Sequence, residues 1–197
     1  MQDELREYLR KRDFATSGEP RGAAGSGSAA GREARFVVQM HDASTLHFDF
    51  RIEVGGVLKS WSIPKGPSVA PEVKRLAVPT EDHPVEYADF EGVIPEGEYG
   101  AGTVLVWDTG RYRHLSTDDL SAHEALERGR ISIWLEGSKL RGGYALVRMG
   151  KSSGDWLLIK MRDEGADRRR KPTKTQPRSA LSGSSLRELA AHGPEWR

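Results

Sequence analysis

The chain has 197 residues, which is long enough for one domain with a substantial core plus terminal segments. It contains no cysteine, so disulfide bonds and thiolate metal sites are excluded, and any metal ion must be held by histidine and carboxylate groups. The formal net charge is +1, yet residues 168–178 carry six positive charges and no acidic residue. The rest of the chain therefore sums to −5, which excludes a broadly basic nucleic-acid-binding body and leaves only local anion sites there.

The sequence offers no segment for a membrane. No apolar run approaches the length that spans a bilayer, and the N-terminus lacks the apolar core of a signal peptide. We therefore expect a cytoplasmic protein that makes no membrane contact.

The predicted elements begin with a short helix over residues 4–12, which places Leu5, Tyr8 and Leu9 on one side. Residues 22–31 are rich in glycine, alanine and serine and are typical of a flexible linker. One interior helix is predicted over residues 121–128, because Ser121 and Glu124 fit a capping box and Gly129 ends the segment. Apolar patterning predicts short strands at residues 35–40, 46–54, 57–63, 75–78, 103–107, 111–114, 130–135, 140–149 and 156–161.

Many short strands with closely spaced turns predict a mostly β protein, either a barrel or a sandwich. We expect a compact antiparallel β-barrel with one or two short helices and flexible termini. The predicted turns are a hairpin at Gly55-Gly56, a loop at residues 79–84 and a turn at residues 108–110.

The predicted organisation has three parts. Residues 1–34 form an N-terminal helix and a Gly/Ala/Ser-rich segment that contributes to the site, and residues 35–162 form the barrel. Residues 163–197 form a basic tail, which we expect to be disordered at least to Ser179 because it is polar, charged and contains proline, with a weak helix over residues 181–191.

Strict alternation of apolar and polar residues marks the strand at residues 46–54 and places His47, Asp49 and Arg51 on one face. Imidazole and carboxylate are metal ligands, and a neighbouring guanidinium binds an oxyanion through two N–H groups. His41 lies across a short loop and is a candidate third ligand. Two histidines and one carboxylate suit Mn²⁺, Fe²⁺ or Zn²⁺. The alternative interpretation is an ordinary solvated face of an antiparallel sheet.

Further candidates lie in predicted loops. His83 falls in the loop at residues 79–84, where catalytic residues are common, although a surface histidine is the alternative. Lys65 and Arg75 are candidates to form a cationic cradle for a phosphate together with Arg51, although each is individually typical of a solvated surface charge. The glycine-punctuated stretch at residues 92–102 lacks the ending of a nucleotide-binding loop and is interpreted as structural turns.

An ordered series of motifs resembles the 3′-phosphoesterase domain of bacterial DNA ligase D, and the resemblance covers roughly residues 5 to 162. The central motifs are His41-x5-His47-x-Asp49-x-Arg51, Leu58-Lys59-Ser60-Trp61-x2-Pro64-Lys65-Gly66-Pro67 and Arg75-Leu76-Ala77-Val78. They continue with Glu81-Asp82-His83-Pro84-x-Glu86-Tyr87 and Phe90-Glu91-Gly92-x-Ile94-Pro95-x-Gly97-x-Tyr99-Gly100. Upstream, the stretch from Tyr8 to Pro20 is similar to the N-terminal signature of the family.

The resemblance implies a small β-barrel enzyme that uses Mn²⁺, or alternatively Co²⁺ or Zn²⁺, to trim DNA or RNA 3′ ends. A phosphodiesterase step removes a terminal ribonucleoside, and a phosphomonoesterase step then removes the 3′-phosphate and leaves a 3′-OH. By this resemblance His41, His47 and Asp49 hold the metal, His83 contacts the scissile phosphate, and Tyr87 supports the site. The residues that neutralise the phosphate are Arg51, Lys65 and Arg75, and the N-terminal residues that matter for activity are Arg12, Asp13 and Glu19.

The resemblance also implies partners. These are a primer–template duplex that ends in a 3′-ribonucleotide or 3′-phosphate, and separate ligase and polymerase proteins of DNA end joining. The chain has no Lys-x-Asp-Gly nucleotidyl-transfer motif and no Asp-x-Asp polymerase pair, so we expect a stand-alone, nucleoid-associated monomer.

Two other function classes stay open at this stage. One is a non-haem iron oxygenase, since His47 and Asp49 followed by His83 or His114 mimic a 2-His-1-carboxylate triad. The other is a non-catalytic module that binds DNA ends.

Overall fold

The computed structural model describes residues 3–22, 34–116, 118–150 and 154–192. Nine antiparallel strands dominate the chain: β1 (Arg35–Asp42), β2 (Leu46–Val54), β3 (Val57–Ile63), β4 (Lys74–Pro84), β5 (Gly92–Ile94), β6 (Gly102–His114), β7 (Arg130–Gly137), β8 (Arg141–Arg148) and β9 (Trp156–Lys160). The helices are α1 (Arg6–Arg10), a 3₁₀ helix (Val85–Asp89), α2 (Ala122–Glu127), α3 (Pro172–Thr175) and α4 (Leu186–His192). No helix in the described ranges is long and apolar enough to cross a bilayer.

Eight of the strands form a closed antiparallel barrel. The strand order is β1-β2-β3-β4-β9-β8-β7-β6, and β1 also pairs with β6, which closes the sheet on itself. The short strand β5 adds to the other edge of β6. Closure pairs the edge strands and confirms the predicted fold class.

The hairpin between β2 and β3 has the predicted strand limits. Gly55 and Gly56 both have positive φ, at 64° and 85°. A two-residue type I′ turn requires this conformation at both central positions, and glycine adopts it without a steric penalty. The turn therefore fixes the β2–β3 register, in which Asp49 lies opposite Ser62 and Arg51 opposite Ser60.

Alternation along β1 and β2 divides the core into two parts. Phe36, Val38 and Met40 join Phe48 and Phe50 in the barrel interior. The intervening side chains point to the outer face of the barrel. A second apolar cluster lies on that face and consists of Tyr8, Val37, Leu58, Tyr87, Ala88, Phe90, Ile94, Val104 and Val106. The outer face of β2 is thus buried from Asp49 onward, and the alternative interpretation of a solvated face does not hold there.

Two predicted turns are strands in the structure. Strand β4 continues through residues 79–84, so the prediction of a loop around His83 was wrong, and the backbone there pairs with β3. The predicted turn at residues 108–110 lies within β6. Asp108 is buried, and its carboxylate accepts hydrogen bonds from the backbone N–H groups of Ser138, Lys139 and Leu140. The Asp108 side chain therefore stabilises the turn at residues 138–140, between β7 and β8, and not a turn at its own position.

The predicted interior helix is confirmed as α2. The Ser121 side chain accepts from the Glu124 N–H, and the Glu124 carboxylate accepts from the Ser121 N–H, which is a complete capping box. The predicted N-terminal helix corresponds to α1. The predicted Gly/Ala/Ser-rich linker lies almost entirely outside the described residues, and the division of the chain at residues 34 and 162 stays a prediction.

The C-terminal segment makes defined contacts over residues 163–179, where disorder was predicted, and helix α4 overlaps the weak helix predicted over residues 181–191. The Gln176 carbonyl accepts from the Trp107 indole N–H at 2.8 Å, and the Ala180 N–H donates to the Val106 carbonyl at 2.8 Å. Ser179 is buried and its hydroxyl donates to the Glu91 carboxylate. Composition alone predicted disorder because these partners lie roughly 70 to 90 residues upstream, where local sequence carries no signal.

Candidate functional site

The β1–β2 pairing brings together three residues that suit a metal ion. The register places His41 directly opposite His47, and Gln39 opposite Asp49. Potential ligand atoms of His41, His47 and Asp49 all lie within 4.8 Å of one another. The His41 Nδ1–Asp49 Oδ2 distance is 3.7 Å and the His47 Nε2–Asp49 Oδ1 distance is 3.8 Å. We call these three residues the triad.

Hydrogen bonds fix which nitrogen of each histidine is available. His41 Nε2 lies 2.9 Å from the Gly100 carbonyl oxygen, and His47 Nδ1 lies 2.9 Å from the Thr45 carbonyl oxygen. A carbonyl oxygen only accepts, so each of these nitrogens carries the proton. The lone pairs then lie on His41 Nδ1 and His47 Nε2, the two atoms that face Asp49, as in histidines whose other ring nitrogen is oriented by a second partner.

Asp49 is held as a carboxylate. Burial alone would raise its pKa, but the charge of the adjacent Arg51 guanidinium opposes burial, and the pKa lies below its ordinary value. Arg51 Nη2 donates to Asp49 Oδ2 at 3.2 Å. The triad therefore offers two nitrogen lone pairs and one anionic oxygen ligand, a set that suits a divalent first-row metal ion.

Arg51 is buried, donates to Gln39 and Asp49, and lies against His83. Its Nε donates to Gln39 Oε1 at 2.8 Å, and the Gln39 side-chain amide donates to the carbonyls of Tyr87 and Phe90 at 3.0 and 3.1 Å. Its Nη1 lies 2.9 Å from His83 Nδ1. The guanidinium is thus fixed beside the triad, 5.0 Å from the Tyr87 ring.

His83 lies between two guanidinium groups. Its Nε2 is 3.3 Å from Arg12 Nη2, and its Nδ1 is 2.8 Å from the Glu81 carbonyl oxygen. Burial, together with the charges of Arg51 and Arg12, lowers the pKa of His83 well below 6.5, so the ring is neutral. The neutral ring donates its one proton from Nδ1 to the Glu81 carbonyl, and its Nε2 accepts from Arg12. The Arg51 Nη1 N–H therefore has no acceptor on His83.

The N-terminal segment completes this cluster. Arg12 Nε donates to Glu19 Oε1 at 2.8 Å, and Arg12 Nη1 donates to Glu81 Oε1 at 3.0 Å. The guanidinium stacks on the Tyr8 ring, with its carbon 3.9 Å from the ring centroid. The Tyr87 hydroxyl also donates to Glu19, at 3.0 Å. We call Arg12, Glu19, Arg51, His83 and Tyr87 the arginine cluster.

Three residues that the resemblance implied lie outside both groups. Asp13 is exposed, accepts from the Ala15 N–H at 2.9 Å, and lines a cavity with Arg12 and Phe14. Lys65 and Arg75 line another cavity that contains no triad residue. The predicted cradle of Arg51, Lys65 and Arg75 is therefore divided between two places, since Arg51 contacts Asp49 and His83 instead.

Three residues that contact the arginine cluster, Gln39, Glu81 and Tyr8, were not singled out as site residues from the sequence. Gln39 is fully buried, and its position two residues before His41 on the same face of β1 was the available signal. Glu81 and Tyr8 appear in motifs, but their contacts with Arg12 span roughly 70 residues and 4 residues respectively. Only Gln39 could have been found by extending the alternation argument from β2 to β1.

A closed antiparallel barrel with a histidine–carboxylate triad beside the buried Arg51 defines a β-barrel domain with a candidate metal centre next to a fixed cation. The chain belongs to the DNA ligase D 3′-phosphoesterase family, whose model matches residues 39–148. The match confirms the resemblance that the motifs indicated and supports a phosphoesterase that processes 3′ ends.

Relatives of known name are similar along most of the chain. The multifunctional non-homologous end joining protein LigD of Pseudomonas aeruginosa is 50% identical over 194 residues, which is 96% of this chain and 22% of that protein. The LigD DNA repair protein of Mycobacterium tuberculosis is 42% identical over 82% of this chain and 20% of its own length. LigD of Mycolicibacterium smegmatis is 38% identical over 92% of this chain and 23% of its own length. The chain thus spans about a fifth of the length of these relatives.

Proposed function

We propose that this protein is a Mn²⁺-dependent phosphoesterase that heals DNA or RNA 3′ ends in two steps. It removes a 3′-terminal ribonucleoside as a phosphodiesterase and then removes the remaining 3′-phosphate as a phosphomonoesterase, leaving a 3′-OH. The observation that carries the proposal is the direct contact between Asp49 of the triad and the buried Arg51. The contact supports the proposal because the three residues that suit a divalent ion then lie next to a fixed cation, and phosphoryl transfer uses both.

His41, His47 and Asp49 fit a resident metal ion, because their lone pairs face one another and the histidine protons point away to carbonyl groups. Such an ion supplies Lewis-acid polarisation of a phosphate oxygen and lowers the pKa of bound water. Mn²⁺ is our first choice, with Co²⁺ and Zn²⁺ as alternatives, since mixed imidazole and carboxylate ligands accept all three.

Arg51 and Arg12 bind and orient the phosphate. Arg51 donates through Nε to Gln39 and through Nη2 to Asp49, and we assign its remaining Nη2 N–H to a phosphate oxygen. His83 is neutral and both of its nitrogens are engaged, so we assign it a positioning role between the two guanidiniums in place of direct contact with the phosphate or general-acid catalysis. Tyr87 and Glu19 hold Arg12 in place.

The geometry favours this function over an iron oxygenase. Among the described residues, the third member of the triad is His41, whereas His83 faces arginines and His114 lies at the end of β6. Buried arginines bound to a ligand carboxylate suit an anionic substrate. A non-catalytic module that binds DNA ends would use the same cations without the metal, so activity assays must separate the two.

The experiment is an end-processing assay on a primer–template duplex whose primer ends in one ribonucleotide. With Mn²⁺ present, we expect conversion first to a primer with a 3′-phosphate and then to a primer with a 3′-OH, resolved on a denaturing gel. His47→Ala should stop both steps, and His123→Ala, which changes an exposed histidine on α2, should stop neither. Binding of the duplex with no turnover at any divalent metal would contradict the proposal and favour the end-binding module.

The partners follow as proposals from the names of the relatives. LigD proteins are named for non-homologous end joining, so we propose DNA ends as substrates and end-joining ligase and polymerase activities as partners. We also propose that the protein acts as a monomer near the nucleoid. An immunoprecipitation from cells treated with a DNA-breaking agent would test the partners.

A further inference from the structure

A basic cavity of about 300 Å³ lies between the barrel and the C-terminal segment. Five of its lining residues are cationic: Lys65, Arg75, Arg170, Lys171 and Lys174. No acidic residue lines it. None of these five cations forms an ion pair with a carboxylate in the described ranges, whereas the nearby Arg168 pairs with Glu72. The cavity therefore concentrates positive charge without internal neutralisation, which favours an anionic ligand.

Arg75 gives a second indication of a ligand. Its Nε is buried and has no hydrogen-bond partner among the described residues. A buried donor that is not hydrogen-bonded destabilises the folded protein, and an anion or a bound water molecule is the usual reason for its retention.

The cavity is part of the folded structure. Arg170 Nη2 donates to the Lys139 carbonyl at 2.9 Å, which holds the start of the C-terminal lining. The Lys139 ammonium in turn donates to the carbonyls of Trp107 and Arg178, and Trp107 donates to Gln176. The segment that carries Lys171 and Lys174 is thus anchored to the barrel on both sides of α3.

The cavity lies near the end of β2 that carries the triad residue His47, on the interior side of that strand. Gly66 has a positive φ of 67°, and a Cβ atom there would lie 2.8 Å from the Phe48 ring and 2.9 Å from the Thr173 methyl group. Phe48 directly follows the triad residue His47, and Thr173 lies between Lys171 and Lys174. Thr173 of the C-terminal segment and the Phe48 side chain thus both lie next to Gly66, near the end of β2 that carries His47 but on the interior face of the strand.

We propose that this cavity binds a backbone phosphate of the nucleic-acid strand whose 3′ end lies at the triad, and that Arg170, Lys171 and Lys174 supply this contact. The inference rests on the proposed function and deepens it, because it assigns the C-terminal segment a part in substrate binding. Repeating phosphates are a property of a polynucleotide, so the cavity selects a strand over a mononucleotide.

The test compares two oligonucleotides that end in a 3′-phosphate, a dinucleotide and a longer single strand. Binding is measured by fluorescence anisotropy over a range of salt concentrations, without added divalent metal so that no cleavage occurs. The variant is Lys171→Gln/Lys174→Gln, which changes two exposed side chains. The matched control is Arg113→Gln/Arg130→Gln, which removes the same charge from exposed positions on β6 and β7 that do not line the cavity.

For the longer strand, we expect the affinity of the cavity variant to fall about 5-fold at roughly 0.1 M salt for each phosphate that it no longer binds, and the salt slope to fall by about 0.7 per phosphate. Affinity for the dinucleotide should be unchanged, and the control should match the unmodified protein on both ligands. Equally weakened binding of both ligands, or unchanged binding of the longer strand, would overturn the proposal. If the double variant has a lowered melting temperature, Lys174→Gln alone is measured in the same way.

The binding measurement needs no turnover, so it separates this inference from the proposed function. If the protein heals 3′ ends but its binding does not depend on strand length, only the proposed role of the cavity is wrong. If binding depends on strand length but the protein has no phosphoesterase activity, only the proposed function is wrong.

Discussion

Arg51 and His83 are in direct contact within the arginine cluster. Arg51 Nη1 lies 2.9 Å from His83 Nδ1, and each residue is only 3% exposed. The contact connects side chains of strands β2 and β4, which are separated in the sheet by β3. It holds a neutral imidazole against a permanent cation, and it therefore links the protonation of one residue to the position of the other.

The stability of the protein should fall as the pH is lowered below about 6.5. Because burial and the nearby arginines depress the pKa of folded His83, the unfolded chain takes up a proton in this range and the folded protein does not. The contribution to stability is thus present above pH 6.5 and is lost as the pH falls, by up to about 1.4 kcal/mol per pH unit. Chemical denaturation of the unmodified protein at several pH values measures this slope.

The control for this prediction is a pair of variants. His83→Asn should reduce the slope, and His123→Asn, at an exposed position on α2, should retain it. His114, whose pKa is also lowered by partial burial, is present in both variants and cancels in the comparison. An unchanged slope in His83→Asn would show that other groups cause the acid sensitivity.

His47→Ala should lower bound metal and both activities together. The side chain offers one of the two nitrogen lone pairs of the triad, and loss of a metal function of this kind should reduce the rate by roughly 10²-fold or more. Metal content by elemental analysis and activity in the 3′-end assay are measured on the same preparation. Full metal occupancy with full activity would exclude His47 as a ligand.

Arg51→Lys should weaken metal binding as well as phosphate binding. Lysine keeps the charge, but it cannot make the separate bonds from Nε to Gln39 and from Nη2 to Asp49. Partners that orient a metal ligand typically contribute 10- to 100-fold in metal affinity or activity. Titration with Mn²⁺ by calorimetry, together with rates on 3′-phosphate and 3′-ribonucleoside ends, measures the effect.

Arg51→Lys should also affect the two catalytic steps unequally. A 3′-phosphate dianion carries more charge than a diester, so the monoesterase step should be impaired more than the diesterase step. Equal impairment on both substrates with normal metal affinity would instead indicate that Arg51 has only a structural role.

Glu19→Gln should loosen the N-terminal segment without unfolding the barrel. The buried Glu19 carboxylate accepts from Arg12 and Tyr87, and hydrogen bonds to a charged group are worth about 1.5–3 kcal/mol. Faster amide hydrogen exchange in α1, with unchanged exchange in β7 and β8, is the expected result. Glu7→Gln, which breaks an exposed pair with Lys11, should change exchange little, and equal effects of the two variants would contradict the assignment.

Asp163→Ala should destabilise the whole protein. Asp163 is the partner of the fully buried Lys160 ammonium, at 2.6 Å, and it also accepts from the backbone N–H groups of Gly143 and Gly165. Removing one partner of a buried pair costs about 3–5 kcal/mol, because the other charge stays buried and unpaired. Denaturant unfolding measures the loss, and Asp167→Ala, at an exposed position, should cost less than about 1 kcal/mol.

Local sequence was sufficient to predict the main elements around the site and the family. The alternation at residues 46–54 and the turn at Gly55-Gly56 predicted β2 and its hairpin with the correct limits, because strand period and turn chemistry are local properties. The capping box predicted α2 for the same reason. The spacing of His41, His47 and Asp49 predicted the triad, since two strands joined by a short loop must lie side by side.

The surroundings of the triad, in contrast, depend on the tertiary structure. Arg12 reaches His83 and Glu81 across roughly 70 residues, and the C-terminal segment reaches Trp107 and Glu91 across a similar separation. Such contacts depend on barrel closure and on burial, which short sequence windows do not encode. The division of the predicted cationic cradle has the same cause: Arg51 lies on the outer face of β2, where buried partners hold it, whereas Lys65 and Arg75 face the C-terminal segment that packs beside them.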